Sequence, residues 1–138
     1  MIILDTNVIS EAMRGPNADV RVLAWLRSRP QQPVTTVINR AEILAGLALL
    51  PAGDRRQRLL VAAEAAFDML GVCLPLVPEA AEAYATIVAA RQRQGRPIGG
   101  MDALIAAIAT VADATIATRD VAGFTGIGLT LIDPWEAT

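Results

Sequence analysis

Short apolar runs and longer amphipathic stretches alternate along the chain. "IIL" at positions 2–4 is a buried-strand pattern that runs directly into Asp5. Thr6 or Asn7 is suited to cap a short helix through Met13, and "RGPN" at 14–17 is a turn. A helix is predicted over 18–29, where Val20, Leu23, Ala24 and Leu26 recur at helical spacing. "PVTTV" at 33–37 is β-branched and predicts a second strand, followed by a helix over 38–50 that "PAGD" ends. A long amphipathic helix is predicted over 54–70 and a short strand over 72–77. The next helix opens at Pro78, a residue favoured at a first helical position, and runs to about Gln94. "RQRQGRPIGG" at 91–100 is a polar loop. A mostly apolar helix over 101–113 and strands at 114–118 and 129–133 complete the pattern. Strands separated by helices imply a single α/β domain over 1–138, with a parallel sheet covered on both faces. Such sheets place ligands beyond the carboxyl ends of their strands. Asp5 and Asp120 both fall there.

Four acids interrupt this apolar pattern: Asp5, Glu42 in "INRAEILAGL", Asp102 in the first turn of "GGMDALIAAIA", and Asp120 after "ATIATR". Each has an ordinary alternative. Asp5 could cap the next helix, Glu42 could face water, Asp102 could complement a helix N-terminus, and Asp120 could belong to a turn. Periodicity weakens two of these. Asp102 shares a stripe with Ile105, Ala106 and Ala109, and Glu42 shares one with Ile38, Ala45 and Leu49. An acid on a core-facing stripe is costly unless it is paired or bound to a metal.

Composition narrows the chemistry. The chain has no histidine, and its 12 basic residues are all arginine. A Ser-His-Asp triad, a histidine-ligated zinc, a P-loop and a Schiff-base lysine are therefore excluded. Carboxylates with hydroxyls around them make a hard-oxygen site suited to Mg²⁺ or Mn²⁺. The net charge is 12 − 14 = −2; without the four acids it is 12 − 10 = +2, which is compatible with a phosphate-bearing substrate. Apolar residues make up 54% of the 138, and the mean hydropathy is +0.44. That hydropathy points to surface covered by a partner, or to an alanine-rich helical core. No apolar run reaches the roughly 20 residues of a membrane span. No basic leader precedes an apolar stretch, which places the protein in the cytoplasm. Cys73, in "LGVCLPL", is expected as a buried core thiol.

The ordered set "LDTN", "AEIL", "DALIAA" and "ATRD" resembles a PIN domain, and more closely the VapC-type ribonuclease toxins, including their FitB-like branch. The likeness covers nearly the whole chain. It implies a three-layer α/β/α fold with a central, mainly parallel sheet of four to five strands. It implies a metal-dependent endoribonuclease in which Asp5, Asp102 and Asp120 ligate Mg²⁺ or Mn²⁺ and Glu42 ligates or positions the water. Thr6, Asn7, Thr118 and Arg119 match the polar residues around that cluster. One position departs from the family pattern. Relatives often carry an acid just before the phenylalanine of "RDVAGF"; here it is Gly123, which leaves the fourth acid to Asp120. "GFTGIG" at 123–128 does not follow a strand and open a helix, so it is a loop and not a phosphate cradle.

Arg91, Arg93 and Arg96, with Arg119, are the candidate substrate contacts; ordinary solvated charge is the alternative for Arg91 and Arg93. Arg55, Arg56 and Arg58 are expected on a solvated helix face. The resemblance also implies an RNA substrate, a homodimer open to larger toxin–antitoxin assembly, and a VapB-type antitoxin that carries any DNA contact. Trp25, Leu26, Leu47 and Leu50 are candidates for the antitoxin groove, with core packing as the alternative. A housekeeping RNA-processing nuclease and a catalytically silent PIN-like module are the other readings within the family. A receiver-like domain would need a strand-end lysine. A haloacid-dehalogenase-type phosphatase would need an aspartate at position 7, which is asparagine.

Overall fold

A computed structural model describes residues 1–137. Five short strands carry the site: β1 (Ile2–Leu4), β2 (Thr35–Thr36), β3 (Cys73–Leu74), β4 (Thr115–Ala117) and β5 (Leu131–Ile132). Six helices connect them: α1 (Thr6–Ala12), α2 (Val20–Arg27), α3 (Val37–Ala48), α4 (Asp54–Asp68), α5 (Ala80–Arg93) and α6 (Gly100–Ala112). Every strand pairing is parallel. β4 lies between β1 and β5, with Ile3 opposite Ile116 and Ile116 opposite Leu131. β2 pairs with β3, Thr35 opposite Cys73. A single parallel bridge between Ile3 and Val34 joins the two groups, through Leu4 N–H to the Val34 carbonyl and Val34 N–H to the Ile2 carbonyl, each 2.9 Å. The spatial order is therefore β3-β2-β1-β4-β5, the mainly parallel α/β/α arrangement that the sequence implied.

Alternation along the strands divides the core in two. Ile3 and Ile116 point to one face and pack with Ile87 of α5 and Ala103, Ile105 and Ala109 of α6. Leu4 and Ala117 point to the other and pack with Val8, Val22, Ile43, Ala63 and Phe67 from α1 to α4. α6 is buried over Ala103 and from Ile105 to Ala109, as an apolar helix enclosed by its neighbours should be. Its small side chains let α5 and the sheet approach closely. It ends at Asp113 in the left-handed region, φ 51°.

Several expectations shift. Asp5, not Thr6 or Asn7, caps α1, its carboxylate accepting the Thr6 N–H. Pro78 precedes α5 instead of opening it; the helix starts at Ala80. α5 continues through Arg93, so Arg91 and Arg93 are helical. The buried stripe of α3 is Asn39, Ile43 and Leu47, whereas Ala45 is exposed and Leu49 is 87% exposed. Cys73 is exposed, because β3 is an edge strand with a partner on one side only. Trp25 and Leu47 belong to the core and Leu26 and Leu50 pack against it. Arg55 and Arg58 are exposed as expected, while Arg56 is half-buried and donates to the Leu50 carbonyl at 3.4 Å.

Candidate active site

The carboxyl ends of β1, β2 and β4 meet at one edge of the sheet, and Asp5 is the first residue past β1. Its carboxylate is buried, 6% exposed, and is held by four donors. Oδ1 accepts the Thr6 N–H at 2.9 Å and Asn39 Nδ2 at 3.0 Å. Oδ2 accepts the Thr118 hydroxyl at 2.7 Å and Asn7 Nδ2 at 3.4 Å. Burying a carboxylate is costly unless such donors satisfy it.

Asn39 is fully buried and was not singled out in the sequence. Its Nδ2 also donates to Thr6 Oγ1 at 3.1 Å, and its Oδ1 accepts the Thr36 hydroxyl at 2.7 Å. The same Thr36 oxygen caps α3 by accepting the Asn39 N–H at 3.2 Å. All of the carboxamide's hydrogen-bonding capacity toward the site is thereby directed. The available signal was its position three residues before Glu42, on one face with Ile43. Glu42 is reached by the Thr6 hydroxyl, which donates to its Oε1 at 3.0 Å.

On the β4 side, Thr118 accepts the Asp120 N–H at 3.0 Å and Asn7 Nδ2 at 3.1 Å. Asn7 Oδ1 accepts the Arg119 N–H at 3.0 Å. Asp120 is exposed, and its Oδ1 accepts the Gly123 N–H at 3.2 Å in the turn that follows. Asp102 approaches from the first turn of α6. Its carboxyl is pushed up to about 6, first by burial and then by the charges of Asp5, Glu42 and Asp120, with Arg91 opposing. Four acids from four different segments thus share one field.

The oxygen ligands on offer are carboxylates with hydroxyls beside them, a chemistry that fits a hard divalent cation. Among the described residues, no three acidic or cysteine side chains are gathered tightly enough to close on an ion as they stand. Burial raises the Asp102 carboxyl most, and the neighbouring carboxylates add to it.

The arginines separate. Arg91 is 4% exposed and its guanidinium is bound to backbone carbonyls, which is neither solvated charge nor a free substrate contact. Arg93 is exposed. Arg96 is exposed and donates to the Ala122 carbonyl at 2.9 Å and to Thr125 Oγ1 at 2.6 Å. Arg119 is exposed and stacks over Trp135, 4.9 Å from the ring centroid.

A parallel sheet covered by helices, with acids at its carboxyl edge, defines a class, and the PIN domain family matches residues 2–125. The chain is 38% identical to a VapC ribonuclease of Sinorhizobium fredii over 99% of both proteins. It is also 38% identical to toxin FitB of Neisseria gonorrhoeae, again over 99% of each. The solved structure of FitAB bound to a DNA fragment superposes with a TM-score of 0.88 at 36% identity, covering 100% of this chain and 98% of that one. This chain belongs to the PIN domain family, within its VapC- and FitB-type branch.

Proposed function

We propose that the protein is the toxin of a toxin–antitoxin pair, a divalent-metal-dependent endoribonuclease acting in the cytoplasm. The observation that supports this reading is the hydrogen-bonded network at the carboxyl edge of the sheet, in which Thr118 joins Asp5 to the Asp120 amide and Thr6 reaches Glu42, with Asp102 in the first turn of the adjoining α6. Asp5, Asp102 and Asp120 would hold Mg²⁺ or Mn²⁺. Bound there, the ion supplies charge stabilisation to phosphoryl oxygens and acidifies water.

The chain's own groups do the rest. Glu42, oriented by the Thr6 hydroxyl, positions the attacking water and accepts its proton. Thr118 and Asn39 fix Asp5 so that its carboxylate needs no reorganisation. Arg93, Arg96 and Arg119 contact RNA phosphates. Arg91 has no such role, since its side chain is 4% exposed and its Nε and Nη1 are committed to backbone carbonyls.

The partner is a VapB-type antitoxin, through which any DNA is reached, as the FitAB–DNA complex suggests by analogy. An apolar groove of about 380 Å³ between α1, α2 and α4, with Leu26, Ala66, Met69 and Leu70 in its walls, is the surface offered to it. Exposed Val20 and Leu49 supply further apolar area for a homodimer. No helix of the described residues is long and apolar enough to cross a membrane.

The test is cleavage of single-stranded RNA by the purified chain with Mn²⁺ or Mg²⁺, with EDTA, and with the product of the adjacent gene. Cleavage that EDTA and the adjacent-gene product each stop supports the reading. Cleavage indifferent to EDTA removes the metal from it, and indifference to the neighbour removes the antitoxin.

A further inference from the structure

The turn that presents Asp120 is gripped by two residues outside the four-acid cluster. Arg91, at the end of α5, is 4% exposed, a burial that a guanidinium tolerates only with its donors bound. Its Nε donates to the Arg96 carbonyl at 2.7 Å. Its Nη1 donates to the Gly123 carbonyl at 2.7 Å and to the Thr125 carbonyl at 3.3 Å. Gly123 in turn gives its N–H to Asp120 Oδ1 at 3.2 Å. Residue 123 is therefore held by a buried cation on its carbonyl side and holds the carboxylate on its amide side.

Space makes the second observation. A Cβ at position 123 would lie 2.5 Å from Asp120 Oδ2 and 3.0 Å from its Cγ. The carboxylate occupies the volume that any other side chain would fill. The backbone does not explain the glycine, because Gly123 is not among the positive-φ glycines, which are Gly15, Gly53, Gly95, Gly126 and Gly128. The glycine at 123 leaves the room that the Asp120 carboxylate occupies.

We propose that Arg91 and Gly123 are positioning residues that fold the Asp120 carboxylate back over its own turn, and that this placement sets the site's affinity for a divalent cation. The proposal rests on the metal-nuclease reading above. It requires that adding one methyl group at 123 swing the carboxylate out while leaving the fold intact. Alanine suits the local backbone and lowers the entropy of the unfolded chain.

The experiment measures Mn²⁺ binding to the RNA-free protein by calorimetry, with a thermal melt of each variant as the fold control. Gly123→Ala is expected to melt no lower than wild type and to bind Mn²⁺ about tenfold more weakly, the lower end of the loss typical when a metal ligand's support is removed. Arg91→Lys keeps the charge but lacks the fork that reaches three carbonyls, and is expected to weaken binding in the same direction. Gly99→Ala is the control, a glycine three residues from Asp102 with open space where its methyl would go; it is expected to bind as wild type does. Wild-type affinity in Gly123→Ala overturns the proposal and leaves the metal site standing, and so does an equal loss in Gly99→Ala. Wild-type protein that takes up no Mn²⁺ overturns the reading of the site, and the proposal with it.

Discussion

The Thr118 hydroxyl donates to Asp5 Oδ2 across 2.7 Å, joining the ends of neighbouring strands that lie 113 positions apart in sequence. The same oxygen accepts the Asp120 N–H, so one hydroxyl sets the spacing of two acids. Thr118→Val keeps the shape and removes both bonds, together with the one that Asn7 Nδ2 gives the same oxygen. It is expected to cost about 1–3 kcal/mol in urea unfolding. RNA cleavage should fall by roughly 10- to 100-fold, as for other groups that orient metal ligands. Valine at 118 with undiminished cleavage would show that Asp5 needs no such support.

Asn39 makes an independent prediction. Asn39→Leu leaves Asp5 Oδ1 and the Thr36 hydroxyl each short of a buried partner, for a loss of about 3 kcal/mol. Asn39→Asp places a second carboxylate against Asp5, and the pair must share a proton. That variant should therefore gain stability relative to wild type as the pH is lowered from 7 toward 5, measured by parallel melts. A pH-independent difference would contradict the placement.

Asp102 gives stability a pH signature. Its carboxyl is raised from 3.8 to about 6, so the folded state binds the proton more tightly than the unfolded chain. Stability from this group is fully present below about pH 4 and declines as the pH rises through 6. Allowing for solvent screening of a half-buried group, the loss is about 1–2 kcal/mol. Asp102→Asn should remove this decline and melt higher than wild type at pH 7, while losing cleavage. Mg²⁺ should raise the wild-type melt at pH 7 and leave the Asn variant nearly unmoved. An Asn variant with the wild-type pH profile would show that the Asp102 carboxyl is not raised in the folded protein.

Arg119, exposed and braced on Trp135, is expected to contact phosphate without reading sequence. Arg119→Ala should weaken binding of several RNA sequences by a similar factor. It should also lower the slope of log affinity against log salt by about 0.7, the value for one phosphate on a single strand. An unchanged slope would remove Arg119 from the substrate surface.

The acids were legible because each breaks an apolar run, and a charge in that setting demands a reason. The α/β order was legible because short β-branched runs alternate with helical periodicity. What escaped depends on neighbours distant in sequence. Arg91 sits in "RQRQGR", a stretch that looks solvated, and its burial is created by carbonyls of the 121–125 turn. Cys73 lies among apolar residues, yet sequence does not distinguish an edge strand from a central one. The stripe assigned to Glu42 was displaced by one position around α3, because a polar residue, Asn39, lies on the core face with Ile43 and Leu47. A buried asparagine becomes visible only with the aspartate it serves.

The most direct measurement compares wild type with Asp5→Asn, Glu42→Gln, Asp102→Asn and Asp120→Asn on one single-stranded RNA in Mn²⁺, each variant first shown to be folded. The expected result is metal-dependent cleavage by wild type and its collapse in all four near-isosteric variants. Cleavage that survives in the Asp5 and Asp102 variants would contradict the account at its centre, since the chemistry would then lie away from the carboxyl edge of the sheet.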